Sequence, residues 1–167
     1  MIEDVFIRKF QPSDLDACRS LWRELVEWHR TLYGDKTIGG EHPETYFDKH
    51  LSRVGEKQLW VAVLGSKVVG FTGLISRENE GEIEPLIVTQ GHRHKGIGTK
   101  LINTVMAEAQ RTGLKSLSIK PVLRNVEAIQ LFNNQGFRSI GQIELYIDFS
   151  KRHRKKNLEL LNLPFDF

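Results

Sequence analysis

The chain reads as a mixed α/β (α+β) fold, one sheet with helices on its faces, and three observations predict it. Apolar residues recur at helical spacing in some stretches and at β-rich spacing in others, in the order βααβββαβαββ. Neither an internal repeat nor a linker divides the 167 residues, a length that buries roughly two-thirds of the unfolded surface around one core. The composition, 40% hydrophobic and 27% charged, is that of a globular domain and excludes disordered, fibrous and membrane classes. One domain over 1–150 is expected, followed by a basic and then apolar tail at 151–167.

Each element has its own signal. "VFIRKF" alternates enough for a first strand. After Pro12, Leu15, Cys18, Leu21, Trp22, Leu25, Val26 and Trp28 lie near helical spacing, with Ser13 as N-cap and Gly34 at the stop. "PETYFDKHLSRVG" gives a shorter helix ending at Gly55. The period then changes: "QLWVAVLG", "KVVGFTGLIS" and "EGEIEPLIVT" are β-rich runs separated by short polar turns and predict an antiparallel meander. Leu101, Ile102, Val105, Met106 and Ala109 share a helix face that stops at Gly113. "LKSLSIKP" follows as a strand, "NVEAIQLFNNQG" as a helix closed by Gly136, and "FRSIGQIELYIDF" as one or two final strands.

Charge and cysteine content narrow the function. The pI of about 9.0 comes from "KRHRKK" at 151–156, which holds five of the 24 Lys and Arg; the remaining 19 face 21 acidic residues. Basicity is thus a property of the tail, and nucleic acid is not expected as the main partner. Cys18 is the single cysteine, which excludes an intramolecular disulfide and suits a reducing compartment; it reads as a buried structural thiol. "MIEDVFIRKF" lacks the features of a signal peptide, and no uncharged run approaches the ~20 residues that span a bilayer. No membrane association and a cytoplasmic location are expected.

The densest chemistry lies in "VTQGHRHKGIGTKL", residues 88–101, between the third strand of the meander and a helix beginning near Gly96. Unpaired N–H groups and the positive end of the helix dipole converge there and favour an anion. Gly96 and Gly98 permit close backbone approach. Arg93, His94 and Lys95 supply further donors. A Walker A loop fails, because Ile97 and Gly98 stand where Lys and Ser or Thr are required; a dinucleotide fingerprint fails at Leu101, where a third glycine is needed. His92 and His94 form an His-x-His pair without a third ligand at a recognised spacing, so no metal is expected.

The string matches Arg-x-x-Gly-x-Gly. With the preceding strand "EIEPLIV", the later "NVEAIQLFNNQGF" and the order of elements, the chain from about Val5 to Phe149 resembles the GCN5-related N-acetyltransferase (GNAT) superfamily. That resemblance implies a mixed, mainly antiparallel sheet of six to seven strands flanked by about four helices. It implies acetyl-CoA as cosubstrate, its pyrophosphate wrapped by main-chain amides of Arg93, His94, Lys95, Gly96, Ile97, Gly98 and Thr99. Asn125 would bond the pantetheine arm besides capping its helix, and Phe132 would pack on it. A backbone N–H near Ile87 or Val88 would face the developing oxyanion.

Acetyl transfer to an alkyl amine, protonated at neutral pH with a pKa of about 10.4, requires a base. Glu82 and Glu84 lie two apart on a strand and share a face. By resemblance, the glutamate 11 positions before the loop arginine, Glu82, is the usual base; Glu84 is the alternative. The sequence departs from the family at Phe132, where many members carry a tyrosine that assists the departing thiolate. Tyr146 or a water are the candidates to replace it.

The first two helices carry the aromatic and imidazole residues Trp28, His29, Tyr33, His42, Tyr46, Phe47 and His50 near Glu24, Glu27 and Glu41. Trp28 and Phe47 are expected in the core and the others on solvated faces or lining an amine pocket. The leading expectation is N-acetyl transfer to a small-molecule or protein amine. The alternatives are an acyl-CoA sensor with weak turnover, motivated by Phe132, and a protein lysine or N-terminal acetyltransferase using the basic tail. Leu158 to Phe167 form an apolar end expected to dock on the body or on a second copy, which makes a homodimer an expectation.

Overall fold

The computed structural model describes residues 4–147, 149, 154–156 and 158–167. A strand β1 (Phe6–Lys9) leads to helices α1 (Leu15–Tyr33) and α2 (Thr45–Val54). The meander β2 (Leu59–Leu64), β3 (Lys67–Arg77) and β4 (Glu80–Val88) follows. After it come α3 (Ile97–Arg111), β5 (Ser116–Ile119), α4 (Val126–Asn134), β6 (Leu158–Leu160) and β7 (Leu163–Phe165). The predicted element order is thus found, with the seven strands divided between two sheets. Five form a sheet in the order β1-β2-β3-β4-β5, antiparallel except for β4 with β5; β6 and β7 make a separate hairpin.

The sheet is the middle of three layers. On one face α1 and α2 bury Cys18, Leu21 and Phe47 against Val61, Phe71 and Ile87. On the other, α3 and α4 bury Ile102, Val105 and Phe132 against Trp60, Leu74 and Ile83. Phe47 and Phe71 are fully buried, their rings meeting edge-on at 5.3 Å, and removal of each from water contributes about 1.5–3 kcal/mol.

Two expectations are corrected. Ser13 does not cap α1. The buried Asp14 orders the turn instead, accepting from the Gln11 N–H at 2.8 Å and from both Arg8 Nη atoms at 2.6 and 2.7 Å, which pins the helix start to β1. Second, "FRSIGQIELYIDF" contributes no strand among its described residues; the last two strands come from 158–165, and half of the basic run at 151–156, residues 151–153, lies outside the described residues. Gly34, at φ 63°, ends α1 as its sequence position predicts. Among the described residues no helix is long and apolar enough to cross a membrane.

Candidate active site

The site begins with an irregularity in β4. Leu74 pairs with Ile83 and Thr72 with Leu86, so two steps along β3 oppose three along β4. This β-bulge flips the alternation. Ile83 and Leu86 therefore both pack toward α3 and α4, while Glu82, Glu84 and Ile87 face α1 and α2.

Pairing of β4 with β5 also stops, at Ile83 opposite Ile119. Beyond that point β4 has β3 on one side and no strand on the other among the described residues. The Thr89 N–H donates to Val69 O on the β3 side at 2.9 Å. Alternation turns the Val88 N–H and C=O to the open edge. There the Val88 carbonyl accepts from Arg93 Nε at 3.1 Å.

The open edge forms one wall of a cleft of about 300 Å³. Leu86, Ile87 and Val88 line it from β4; His92, Arg93, His94, Gly96, Gly98 and Thr99 from the loop and the start of α3. Asn125, Glu127, Ala128, Leu131 and Phe132 line it from α4 and its cap, and Leu25 and Trp28 from α1. Of the thirteen residues singled out in the sequence, nine meet here. Lys95, Ile97, Glu82 and Glu84 do not line the cleft: Lys95 Nζ donates to Gly91 O at 3.0 Å, and Ile97 is buried in the core beneath α3.

The loop is held in a conformation suited to an anion. His94 and Gly96 both have positive φ, 60° and 77°, and α3 starts at Gly96 with no side-chain cap and no acidic residue in its first turn. Its leading N–H groups and dipole are thus directed at the cleft mouth. A Cβ at Gly98 would lie 3.2 Å from Leu131 Cδ2, so glycine lets α4 close against α3 there. Such a cradle of amides beside an apolar cleft fits a pyrophosphate with an extended arm.

Arg93 is committed elsewhere. Besides Val88 O it lies over the Trp28 ring at 5.1 Å and 3.9 Å from Glu24. Glu24 itself accepts from Thr89 Oγ1 at 2.8 Å and from the Gln90 N–H. The arginine and the α1 carboxylate therefore brace the loop, and its main-chain amides are left as the anion donors. Trp28 is not a core residue as expected but part of this wall.

Asn125 is the N-cap of α4, its Oδ1 accepting from Ala128 N at 3.2 Å, and it lines the cleft. Phe132 is 7% exposed and packs against Phe137 at 6.3 Å. Tyr146 stands outside the cleft, 66% exposed beneath Arg154, so it does not stand in for a tyrosine at position 132.

Glu82 pairs with Lys120 Nζ at 2.8 Å, and Glu84 pairs with Arg53 and lies 3.7 Å from His50 Nδ1. His50 is buried rather than solvated, set against Trp22 and over Gly73, where any Cβ would collide with the Glu84 carbonyl. Burial pushes its pKa down to about 4, so the ring is neutral at pH 7. Burial also pushes the Cys18 thiol up to about 12, which makes it inert. Among the described residues no three His, Cys, Asp or Glu gather as metal ligands.

Sequence reasoning missed Leu86, Glu127, Ala128 and Leu131 in the wall. Ala128 and Leu131, three apart, share a face of α4, but their spacing does not say that this face meets a cleft. Only the bulge turns Leu86 inward, and the sequence signal for it is Pro85, since a proline within a strand pattern marks a bulge or an edge.

This combination of fold and cleft belongs to one class of protein, the acyl-CoA-dependent N-acyltransferases. Within it the chain is a member of the acetyltransferase (GNAT) family, whose model matches residues 21–137 and whose acyl donor is acetyl-CoA. It is 25% identical over 159 residues to an uncharacterised N-acetyltransferase of Methanocaldococcus jannaschii, covering 91% of this chain and 69% of that one. Of six other curated relatives, the chain spans 33% to 52% of their length. Among solved structures, an N-acetyltransferase of Thermoplasma acidophilum in complex with coenzyme A superposes with a TM-score of 0.69 at 20% identity, covering 81% and 90% of the two chains. The ribosomal-protein-S18-alanine N-acetyltransferase of Escherichia coli gives 0.65 at 18% identity, covering 83% and 80%.

Proposed function

We propose that this protein moves the acetyl group of acetyl-CoA to a primary amine by direct attack within a ternary complex. The observation that carries the reading is the open edge of β4. Val88 presents its N–H in the same cleft that the anion-ready loop closes, and Glu84 and Glu82 stand four and six residues earlier on that strand.

The main-chain amides from Arg93 to Thr99 bind the pyrophosphate, and Asn125 and Phe132 orient the arm beneath them. Bound there, the cosubstrate supplies an activated thioester carbonyl. Glu84 or Glu82 takes the proton of the incoming ammonium group, directly or through a water. The Val88 N–H donates to the carbonyl oxygen as it gains charge. The C–N bond forms, the C–S bond breaks, the thiolate departs without a phenolic donor at Phe132, and the nitrogen's second proton passes to that thiolate through water. The amine enters from the α1–α2 side, the face to which the two glutamates belong, and is a small molecule or an exposed protein amine.

Initial rates measured while an amine substrate and acetyl-CoA are both varied test the ternary complex. Intersecting reciprocal plots are expected. Parallel plots would mean an acetylated enzyme and would contradict direct attack, for which the buried, inert Cys18 offers no nucleophile. Phe132 supports a second reading, an acyl-CoA sensor; saturable binding without thiol release for any amine would favour it.

A further inference from the structure

Each candidate base on the acceptor side has a cation of the chain beside it. Glu84 Oε1 accepts from Arg53 Nη2, and Glu82 Oε2 accepts from Lys120 Nζ at 2.8 Å. Glu24, Glu27 and Glu44, on the same side, each pair with an arginine as well. Carboxylates already matched in this way leave little negative charge to attract a polycation. The face suits an amine that brings its own negative charge.

Arg53 is placed to read that charge. It stands in the last turn of α2 with its side chain 51% exposed, and its Nη2 alone is engaged, by Glu84 and by His50 Nδ1 at 3.3 Å. Arginine only donates, so His50 Nδ1 accepts and the ring proton sits on Nε2. His50 is 4% exposed, set against Trp22 over Gly73, and burial keeps its ring uncharged at pH 7. A buried neutral imidazole and a carboxylate therefore hold one corner of the guanidinium fork. Its Nε and Nη1 have no hydrogen-bond partner among the described residues, and Glu84 Oε2 accepts from no described donor. Side by side, the pair leaves one carboxylate oxygen open to an ammonium group and one guanidinium edge open to a carboxylate.

We propose that the acceptor is a free α-amino acid, its ammonium group on Glu84 and its carboxylate on the open edge of Arg53. This rests on the acetyl-transfer reading and names the substrate class of that site. An α-amino acid carries both groups on one carbon, as the adjacency of Arg53 and Glu84 requires. Carboxylate and guanidinium are both planar and meet through parallel N–H···O bonds, which orient the amine as well as bind it. Of the two protons the nitrogen gives up, one goes to Glu84 and one to the departing thiolate, leaving the N-acetyl amino acid and free thiol. A polyamine or an aminoglycoside would set a second cation against Arg53. A lysine side chain within a peptide would bring its amine with no carboxylate beside it.

Initial rates of thiol release for a set of α-amino acids, each against its own carboxamide, test the proposal. The expected kcat/KM is roughly 10- to 100-fold higher for the acid, the worth of hydrogen bonds between charged groups. Arg53→Gln should bring that ratio close to one, and Arg53→Lys, which keeps the charge but not the fork, should retain part of it. Both changes lie on a half-exposed helix end, and the ratio in the unmodified protein stands without them. Carboxamides turned over as fast as their acids would overturn the proposal and leave acetyl transfer standing. So would release with polyamines or a lysine peptide and none with amino acids. An acid preference that survives Arg53→Gln would put the carboxylate on another group and also overturn it. Absence of release with every amine would overturn the transfer reading, and this inference with it.

Discussion

The two sides of the cleft are built of different material. The donor side is backbone, taken mostly from one continuous stretch between Val88 and Thr99 and completed by the cap of α4. The acceptor side is made of side chains that meet from separate elements, with Arg53 and Glu84 31 residues apart and Glu82 and Lys120 38 apart. Backbone amides fixed by glycine geometry recognise a constant group such as a pyrophosphate and tolerate little change. Converging side chains can be exchanged one at a time, which lets one fold serve many amines.

The largest expected effect falls on the acceptor side. Glu82→Gln with Glu84→Gln should lower kcat about 10²–10³-fold, in the range of lost general-base catalysis, and leave the acetyl-CoA-induced rise in melting temperature intact. Full turnover in the double variant would break the division, because the acceptor carboxylates would then do no chemistry.

Next is an acid sensitivity peculiar to the same side. Burial lowers His50 to about 4, so between that value and the ordinary ~6.5 the unfolded chain binds a proton that the folded chain refuses. The associated stability is fully present above about pH 6.5 and is lost as pH falls toward 4. It amounts to something on the order of 3 kcal/mol. Urea midpoints at pH 7 and pH 4.5 should therefore fall less for His50→Gln than for the parent. Equal losses would place the acid-sensitive group elsewhere.

Changes on the donor side are smaller and of the opposite kind. Gly96→Ala imposes a side chain at φ 77° and should weaken acetyl-CoA binding about tenfold, with the amine KM unchanged. A shift confined to the amine KM would sharpen the comparison against us. Asn125→Ala removes the cap of α4 at a cost of about 1 kcal/mol, read as a fall of about 2–4 °C in melting temperature, with weaker acetyl-CoA binding alongside.

The same contrast explains what the sequence made legible. Gly96 and Gly98 after Arg93 place turns and a helix start by local rules, so the loop, α3 and the capping Asn125 are visible in the chain before folding. Arg93 was legible as a residue of this loop but not in its partners, because Glu24 and Trp28 reach it from a helix more than sixty residues earlier. His50 read as one imidazole on a helix face; its burial depends on Gly73 opening space on a strand beneath it. The face change between Glu84 and Leu86 is a matter of register with β3, which no periodicity in β4 alone reveals. The segment after Phe137 shows the reverse failure: its pattern is that of a strand, but its described residues pair with no other strand.

The most direct test of the whole account is acetyl-CoA-dependent release of free thiol across a panel of polyamines, aminoglycosides, amino acids and a lysine peptide, each against a blank without amine. Release above the blank with one class of amine is the predicted result, and it names the acceptor chemistry at once. A rise in melting temperature with acetyl-CoA and no release above the blank for any of them would contradict the proposed transfer and leave the cleft a binding site.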